Sequence, residues 1–175
     1  MKQNIRKSST ISKHSAAMHN RCKCIAPSKC THTLWMFAFS PPYKREAVID
    51  AQGRRALKES QAKMNFLKSG KWLIFVNKSK IDKVWAKIKK STEQGNLGTS
   101  SKVSTSYSFD GHVNKKSHVI CVYTYDCTDK KDVKRVRQKL RDLGITNKIG
   151  YKRDLDTILN KYSYNTKEKI SMYYE

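Results

Sequence analysis

The run His118-Val119-Ile120-Cys121-Val122-Tyr123-Thr124-Tyr125 constrains the fold more than any other stretch of the chain. β-Branched and aromatic residues fill it, and neither glycine nor proline interrupts it, so it predicts a strand. A second run, Lys71-Trp72-Leu73-Ile74-Phe75-Val76, lies between Ser69-Gly70 and Asn77-Lys78. It is apolar on both faces, which predicts a central, buried strand.

The segments between and after these runs read as helices and further strands. Ser79-x-x-Asp82 is a variant capping box ahead of Ile81, Val84, Trp85 and Ile88, which form one helical stripe. Lys83, Lys87, Lys89 and Lys90 cover the other side, and Gly95 and Gly98 end the unit. Residues Lys102 to Phe109 alternate, with Val103, Thr105, Tyr107 and Phe109 on one side and Lys102, Ser104, Ser106 and Ser108 on the other. That pattern predicts a half-buried strand, and Asp110-Gly111 marks a turn toward an antiparallel partner at His118. Thr128 is placed to cap a helix reaching Leu143, with Val133, Val136, Leu140 and Leu143 as its apolar stripe and Gly144 at its C′ position. A short strand within Ile145–Tyr151 and a short helix from Asp154 to Tyr162 follow. From Lys71 the order is strand, helix, strand, strand, helix, strand, helix. This is an α+β pattern with an antiparallel or mixed sheet.

Upstream the patterning weakens. Trp35-Met36-Phe37-Ala38-Phe39, ended by Pro41-Pro42, reads as an edge strand or a docking segment. A helix is expected around Gly53 to Lys68, where Ala56, Leu57, Met64 and Leu67 lie partly on one face. Residues 1–45 read as a disordered basic arm, 46–70 as linker and helix, and 71–175 as the α+β domain.

Charge narrows the class of partner. The 175 residues hold 37 Lys+Arg and 14 Asp+Glu, a net charge of +23. Nearly half of it, +11, falls in residues 1–70, and the first acidic residue is Glu46. Such an excess points to RNA or another phosphorylated anion. The longest apolar run, Leu34 to Phe39, is far shorter than a membrane span needs. Five cysteines without a secretory signal favour a reducing compartment, cytoplasmic or nuclear. A mitochondrial presequence is the rival reading of the basic, Ser-rich start. Cys22-x-Cys24-x5-Cys30-x-His32 gathers four soft ligands that can hold zinc. The C-x-C spacing lacks a second pair, so reduced cysteines in an arm are preferred, and no cofactor is expected.

Several motifs together resemble a known family. They are Ser69-Gly70-Lys71-Trp72, Trp85 in its amphipathic helix, Gly98 with Lys102-Val103-Ser104, the His118 to Thr124 run, the basic helix Val133 to Leu143, and Tyr151-Lys152. They resemble the basophilic leukaemia-expressed protein family over roughly residues 65–162. The resemblance implies a fold similar to the cap-binding translation initiation factor: a curved antiparallel sheet backed by helices on its convex side. The family is largely uncharacterised, so the resemblance implies a fold better than an activity. A remote similarity of such domains to phosphothreonine lyases implies an enzyme as the alternative. Cap binders sandwich a methylated base between two tryptophans. Here Trp72 and Trp85 sit in elements that read as core and Trp35 lies outside the match, so no sandwich is assigned.

Candidate site residues follow from the strand pattern. Lys102 and Ser104 share a polar face, His118 starts the neighbouring strand, and Lys152 and Arg153 close the next. On a curved sheet these five can converge on a phosphorylated ligand or an RNA backbone. A lyase would draw its base, acid and anion holder from Lys102, His118 and Arg153. Lys130, Lys134, Arg137 and Arg141 on the basic helix are a candidate nucleic-acid surface. No P-loop, G-x-S-x-G or H-E-x-x-H motif is present, which leaves nucleotide and serine hydrolases without support. An RNA- or phosphate-binding module is the leading expectation, and a structural or protein-interaction domain is a further alternative.

Overall fold

The computed structural model describes residues 26–41, 48–49, 55–56, 67–108, 116–162, 164 and 169–175. The strands are β1 (Trp35–Phe39), β2 (Val48–Ile49), β3 (Arg55–Ala56), β4 (Gly70–Asn77), β5 (Ser100–Ser104), β6 (Ser117–Thr124), β7 (Gly150–Arg153) and β8 (Tyr173–Tyr174). The helices are α1 (Lys78–Glu93), α2 (Lys130–Asp142) and α3 (Asp154–Ile158). Six strands form one curved, open antiparallel sheet in the order β1-β5-β6-β4-β7-β8, so the α+β architecture expected from sequence is present. β2 and β3 pair separately, Val48 opposite Ala56. No helix among the described residues is long and apolar enough to cross a membrane.

The two strongest strand signals pair with each other: β4 and β6 run antiparallel from Gly70↔Thr124 to Asn77↔Ser117. Side chains alternate across a sheet, so this register sorts every strand residue onto one of two faces. The first face carries Met36, Ala38, Ser101, Val103, Ile120, Val122, Trp72, Ile74 and Tyr151. Against it pack Ile81, Trp85 and Ile88 of α1 and Val133, Val136 and Leu140 of α2. Trp72 is fully buried, meets the Tyr151 ring edge-on at 5.2 Å, and donates its indole N–H to the Val133 carbonyl at 3.2 Å. Each aliphatic side chain buried there contributes about 1.5–3 kcal/mol, which is what holds both helices to this face.

The second face carries no packed α1 or α2. On β4 it presents Lys71, Leu73 and Phe75, and Phe75 is 72% exposed. The expectation of a strand buried on both faces therefore holds for its central place between β6 and β7 and fails for its outer face. Here apolar side chains stand where no helix covers them.

The helix ends form near the expected residues, with shifted caps. Gly144 has φ +94° and its N–H bonds the Arg141 carbonyl at 2.8 Å, as a helix-ending glycine should. The α2 cap is Asp129 rather than Thr128, because its carboxylate accepts from the N–H groups of Lys131 and Asp132. The capping box at Ser79 does not form: Asn77 is the N-cap of α1. Asp82 instead accepts from the Ser28 N–H at 2.9 Å and the Ser28 hydroxyl at 2.5 Å.

That contact also revises the arm. Residues 26–40 are built into the sheet domain: Cys30 is buried, Ser106 Oγ donates to the Ser28 carbonyl, and β1 pairs along β5 as an edge strand. The helix expected from Gly53 to Lys68 lies largely outside the described residues; of its described parts, Arg55–Ala56 is strand and 67–68 are helical. Cys22 and Cys24 also lie outside them. Among the described residues no cluster of His, Cys, Asp or Glu is arranged to hold a metal.

Candidate functional site

The open face is a lattice of lysines and aromatic rings set by strand register. Across the sheet, Ser100, Tyr123, Lys71 and Lys152 stand in one row, and Lys102, Cys121, Leu73 and Gly150 in the next. β1 adds Phe37 opposite Lys102, with Trp35 and Phe39 two residues to either side. Phe37 and Phe39 stack at 6.0 Å with planes 5° apart, and both are 38% exposed.

Lys102 is central to this lattice. Its ammonium lies 4.2 Å from the Trp35 ring centroid and 5.7 Å from that of Tyr123. Neither a carboxylate nor a carbonyl bonds it among the described residues. Burial pushes the Lys102 ammonium below the ordinary lysine range; Lys71 adds to this, while Cys121 and Asp154 act against it. Cys121 is itself buried, and that burial pushes its thiol up.

The other two lysines have defined roles. Lys71 is almost fully buried and pairs with Asp154 at the start of α3. It also donates to Thr157 Oγ1 at 3.0 Å, which brings α3 against this end of the face. Lys152 lies 3.7 Å from the Tyr162 ring centroid and donates to the Lys161 carbonyl. It has no carboxylate partner among the described residues, and burial lowers its pKa, with Lys71 adding to the shift.

Of the five residues expected to converge, Lys102 and Lys152 share the open face, and Ser104 belongs to it by register at the end of β5. The Ser104 hydroxyl accepts from the Val119 N–H at 3.0 Å. His118 does not join them: it is 1% exposed on the helix side, its Nδ1 2.9 Å from the Ser104 carbonyl. Arg153 has the opposite parity and holds Asp156 through two 2.9 Å bonds. Lys102, His118 and Arg153 therefore do not face a common volume, as a lyase trio must.

The basic helix also divides. Lys130 and Lys134 are exposed, while Arg141 reaches Glu175 at 3.6 Å. Arg137 is corrected: it is completely buried, and its guanidinium donates to the carbonyls of Ile145, Asn147 and Glu175. It ties α2 to the segments around β7 and β8 and presents nothing to a nucleic acid.

Sequence reasoning missed Lys71 and Trp35 as parts of this face. One lysine inside an otherwise apolar strand was the available signal for Lys71. For Trp35 there was none, because its place depends on pairing with β5 across more than sixty residues.

These observations define an α+β protein with one face covered by α1 and α2 and a second, lysine- and aromatic-lined face that is exposed at β1 and at Phe75 and closed near Lys71 and Lys152 by α3 and Tyr162. The chain belongs to the basophilic leukemia-expressed protein Bles03 family, whose model matches residues 45–160. Lys71, Lys102, Tyr123 and Lys152 fall inside that match, and β1 falls outside it. Among solved structures it is similar to schistosome eIF4E complexed with m7GpppA and 4E-BP, at 9% identity and a TM-score of 0.49, over 69% of this chain and 64% of that one. It is also similar to C. elegans eIF4E-3 with the 4E-binding protein Mextli and cap analog, at 21% identity and a TM-score of 0.44, over 54% and 56% of the two chains. The Ascaris suum eIF4E-3 complex with m2,2,7G cap matches at 18% identity and a TM-score of 0.44, over 63% and 59%. The chain thus spans less than two thirds of the length of each.

Proposed function

We propose that the protein is a binding module for RNA or another phosphorylated anion, and that the open sheet face is where the anion sits. The observation that carries this reading is Lys102: a cation held between two aromatic rings with no counter-charge among the described residues. Lys152 lies on the same face by register without a carboxylate partner among the described residues, but it is 4% exposed beneath the Tyr162 ring and bonded to the Lys161 carbonyl, so an anion reaches it only if Tyr162 moves aside. A phosphate provides the missing acceptor, and the exposed Phe37 and Phe39 rings offer stacking surface for bases. The net charge of +23 and the exposed Lys130 and Lys134 add a longer-range attraction that is independent of sequence.

The test is fluorescence anisotropy of a labelled single-stranded RNA over a salt series, with wild type and Lys102→Met/Lys152→Met. Each lysine–phosphate contact on a single strand contributes about 0.7 to the slope of log affinity on log salt. The double variant is expected to bind more weakly and to lose about 1.4 from that slope. Unchanged affinity and slope in a folded double variant would falsify the placement of the anion on this face.

A further inference from the structure

One end of the second sheet face is covered, and what covers it deepens the reading of that face as an anion site, on which the inference rests. We infer that Tyr162 is a lid over Lys152: it swings out when a phosphate group arrives, and the phosphate takes over the contacts that the lid makes. The face is then two-state, closed when empty and open when loaded.

The charges near the lid set up this exchange. Lys71 and Lys152 stand directly opposite each other on β4 and β7, so two cations are neighbours there. The nearby carboxylates are engaged: Asp154 receives the Lys71 ammonium and the Ser69 hydroxyl, and Asp156 holds Arg153 through two 2.9 Å bonds. Lys152 is met by neutral groups, the Lys161 carbonyl and the Tyr162 ring, whose centroid is 3.7 Å from the ammonium. Both are acceptors that an anion can replace. A phosphate oxygen brings a full charge to the bond, which a peptide carbonyl and a ring face do not. That difference is the differential affinity a ligand needs in order to shift a two-state element.

The cover is also separate from its anchor. α3 is fixed at its base by the bonds of Asp154 and Asp156. Asn160 then takes a left-handed φ of +53°, and the chain turns so that Lys161 and Tyr162 meet Lys152. Ile158 and Leu159, at the end of α3, are exposed and do not anchor this turn in the core. Tyr162 stacks on Tyr164 at 5.4 Å with planes 8° apart, and Tyr164 is exposed. The ring over Lys152 is thus backed by an exposed ring, and rotating it away breaks neither the Lys71–Asp154 pair nor α3.

The experiment uses the full chain and two readouts. Acetylation by N-acetoxysuccinimide, mapped by mass spectrometry, reads the cover itself. In wild type, Lys152 should react about tenfold more slowly than exposed Lys130 or Lys134. Tyr162→Ala should bring Lys152 to within about threefold of them, while Tyr162→Phe, which keeps the ring, should behave as wild type. Anisotropy of labelled single-stranded RNA reads the consequence. A lid closed about nine parts in ten lowers apparent affinity about tenfold, so Tyr162→Ala should bind about tenfold more tightly. Adding Lys152→Met to that variant should cancel the gain. Tyr162→Leu, which also removes the ring, takes its place if circular dichroism shows the alanine variant unfolded. Wild-type Lys152 as reactive as Lys130 overturns the lid. So does a folded Tyr162→Ala with unchanged or weaker RNA affinity; if binding still depends on Lys102, the lid alone is refuted and the anion site stands. RNA binding by none of these variants overturns lid and site together.

Discussion

Asp154→Asn tests stability and binding in one variant. The carboxylate is 2% exposed and receives the Lys71 ammonium and the Ser69 hydroxyl. Lys71 is 7% exposed and has one further partner, Thr157 Oγ1 at 3.0 Å. The substitution keeps the shape and removes the charge, so a nearly buried ammonium loses its counter-ion. Breaking a buried pair from one side costs about 3–5 kcal/mol. The asparagine oxygen still accepts one hydrogen bond from a charged donor, which offsets about 1.5 kcal/mol. The net expectation is a loss of about 1.5–3.5 kcal/mol, read as a lower urea midpoint at constant m-value. The same change leaves Lys71 as a third uncompensated cation on the open face. RNA affinity should therefore rise by about tenfold, for about 1.4 kcal/mol gained, and the salt slope should steepen by about 0.7. A stability loss under about 1 kcal/mol would show that water already screens the pair. A destabilised but folded variant with unchanged affinity and slope would show that the anion does not meet this face.

Three further outcomes follow from other parts of the molecule. Arg137→Met should cost about 3 kcal/mol in thermal unfolding, because the carbonyls of Ile145, Asn147 and Glu175 lose their donors at about 1 kcal/mol each; a loss below 1 kcal/mol would refute that role. Gly98→Ala places a Cβ 1.7 Å from the Tyr123 carbonyl oxygen, so β6 must shift, and a urea titration should show a loss of about 2–3 kcal/mol. Lys102→Met should leave the protein at least as stable as wild type near neutral pH. Between the depressed Lys102 pKa and the ordinary 10.5, the unfolded chain binds more protons than the folded one, so wild-type stability gains on the variant as pH rises through that window. A stability difference that stays flat across the window would contradict this.

The helices and their inner faces were legible because their information is local. Ile81, Trp85 and Ile88 recur at helical spacing, and Gly144 follows the last turn of α2, so each signal lies within a few residues of what it specifies. Caps were less legible, since Thr128 and Asp129 are both competent and only the backbone geometry chooses between them. Arg137 shows the same limit more sharply. It sits among surface-type lysines and arginines in sequence, and is buried because three carbonyls from other segments converge on it.

By itself the sequence determined the class of fold and its two most apolar strands, through hydrophobic period, while its net charge of +23 favours an anionic partner. Which side of the sheet that charge occupies was decided only in three dimensions. Lys102 and His118 lie on adjacent strands, yet the register turns one toward the aromatic face and the other into the core. A shift of one residue in that register would bring both to the same face, because side chains alternate with period two. The candidate site is therefore a property of strand pairing between distant segments, and no local pattern of residues contains it.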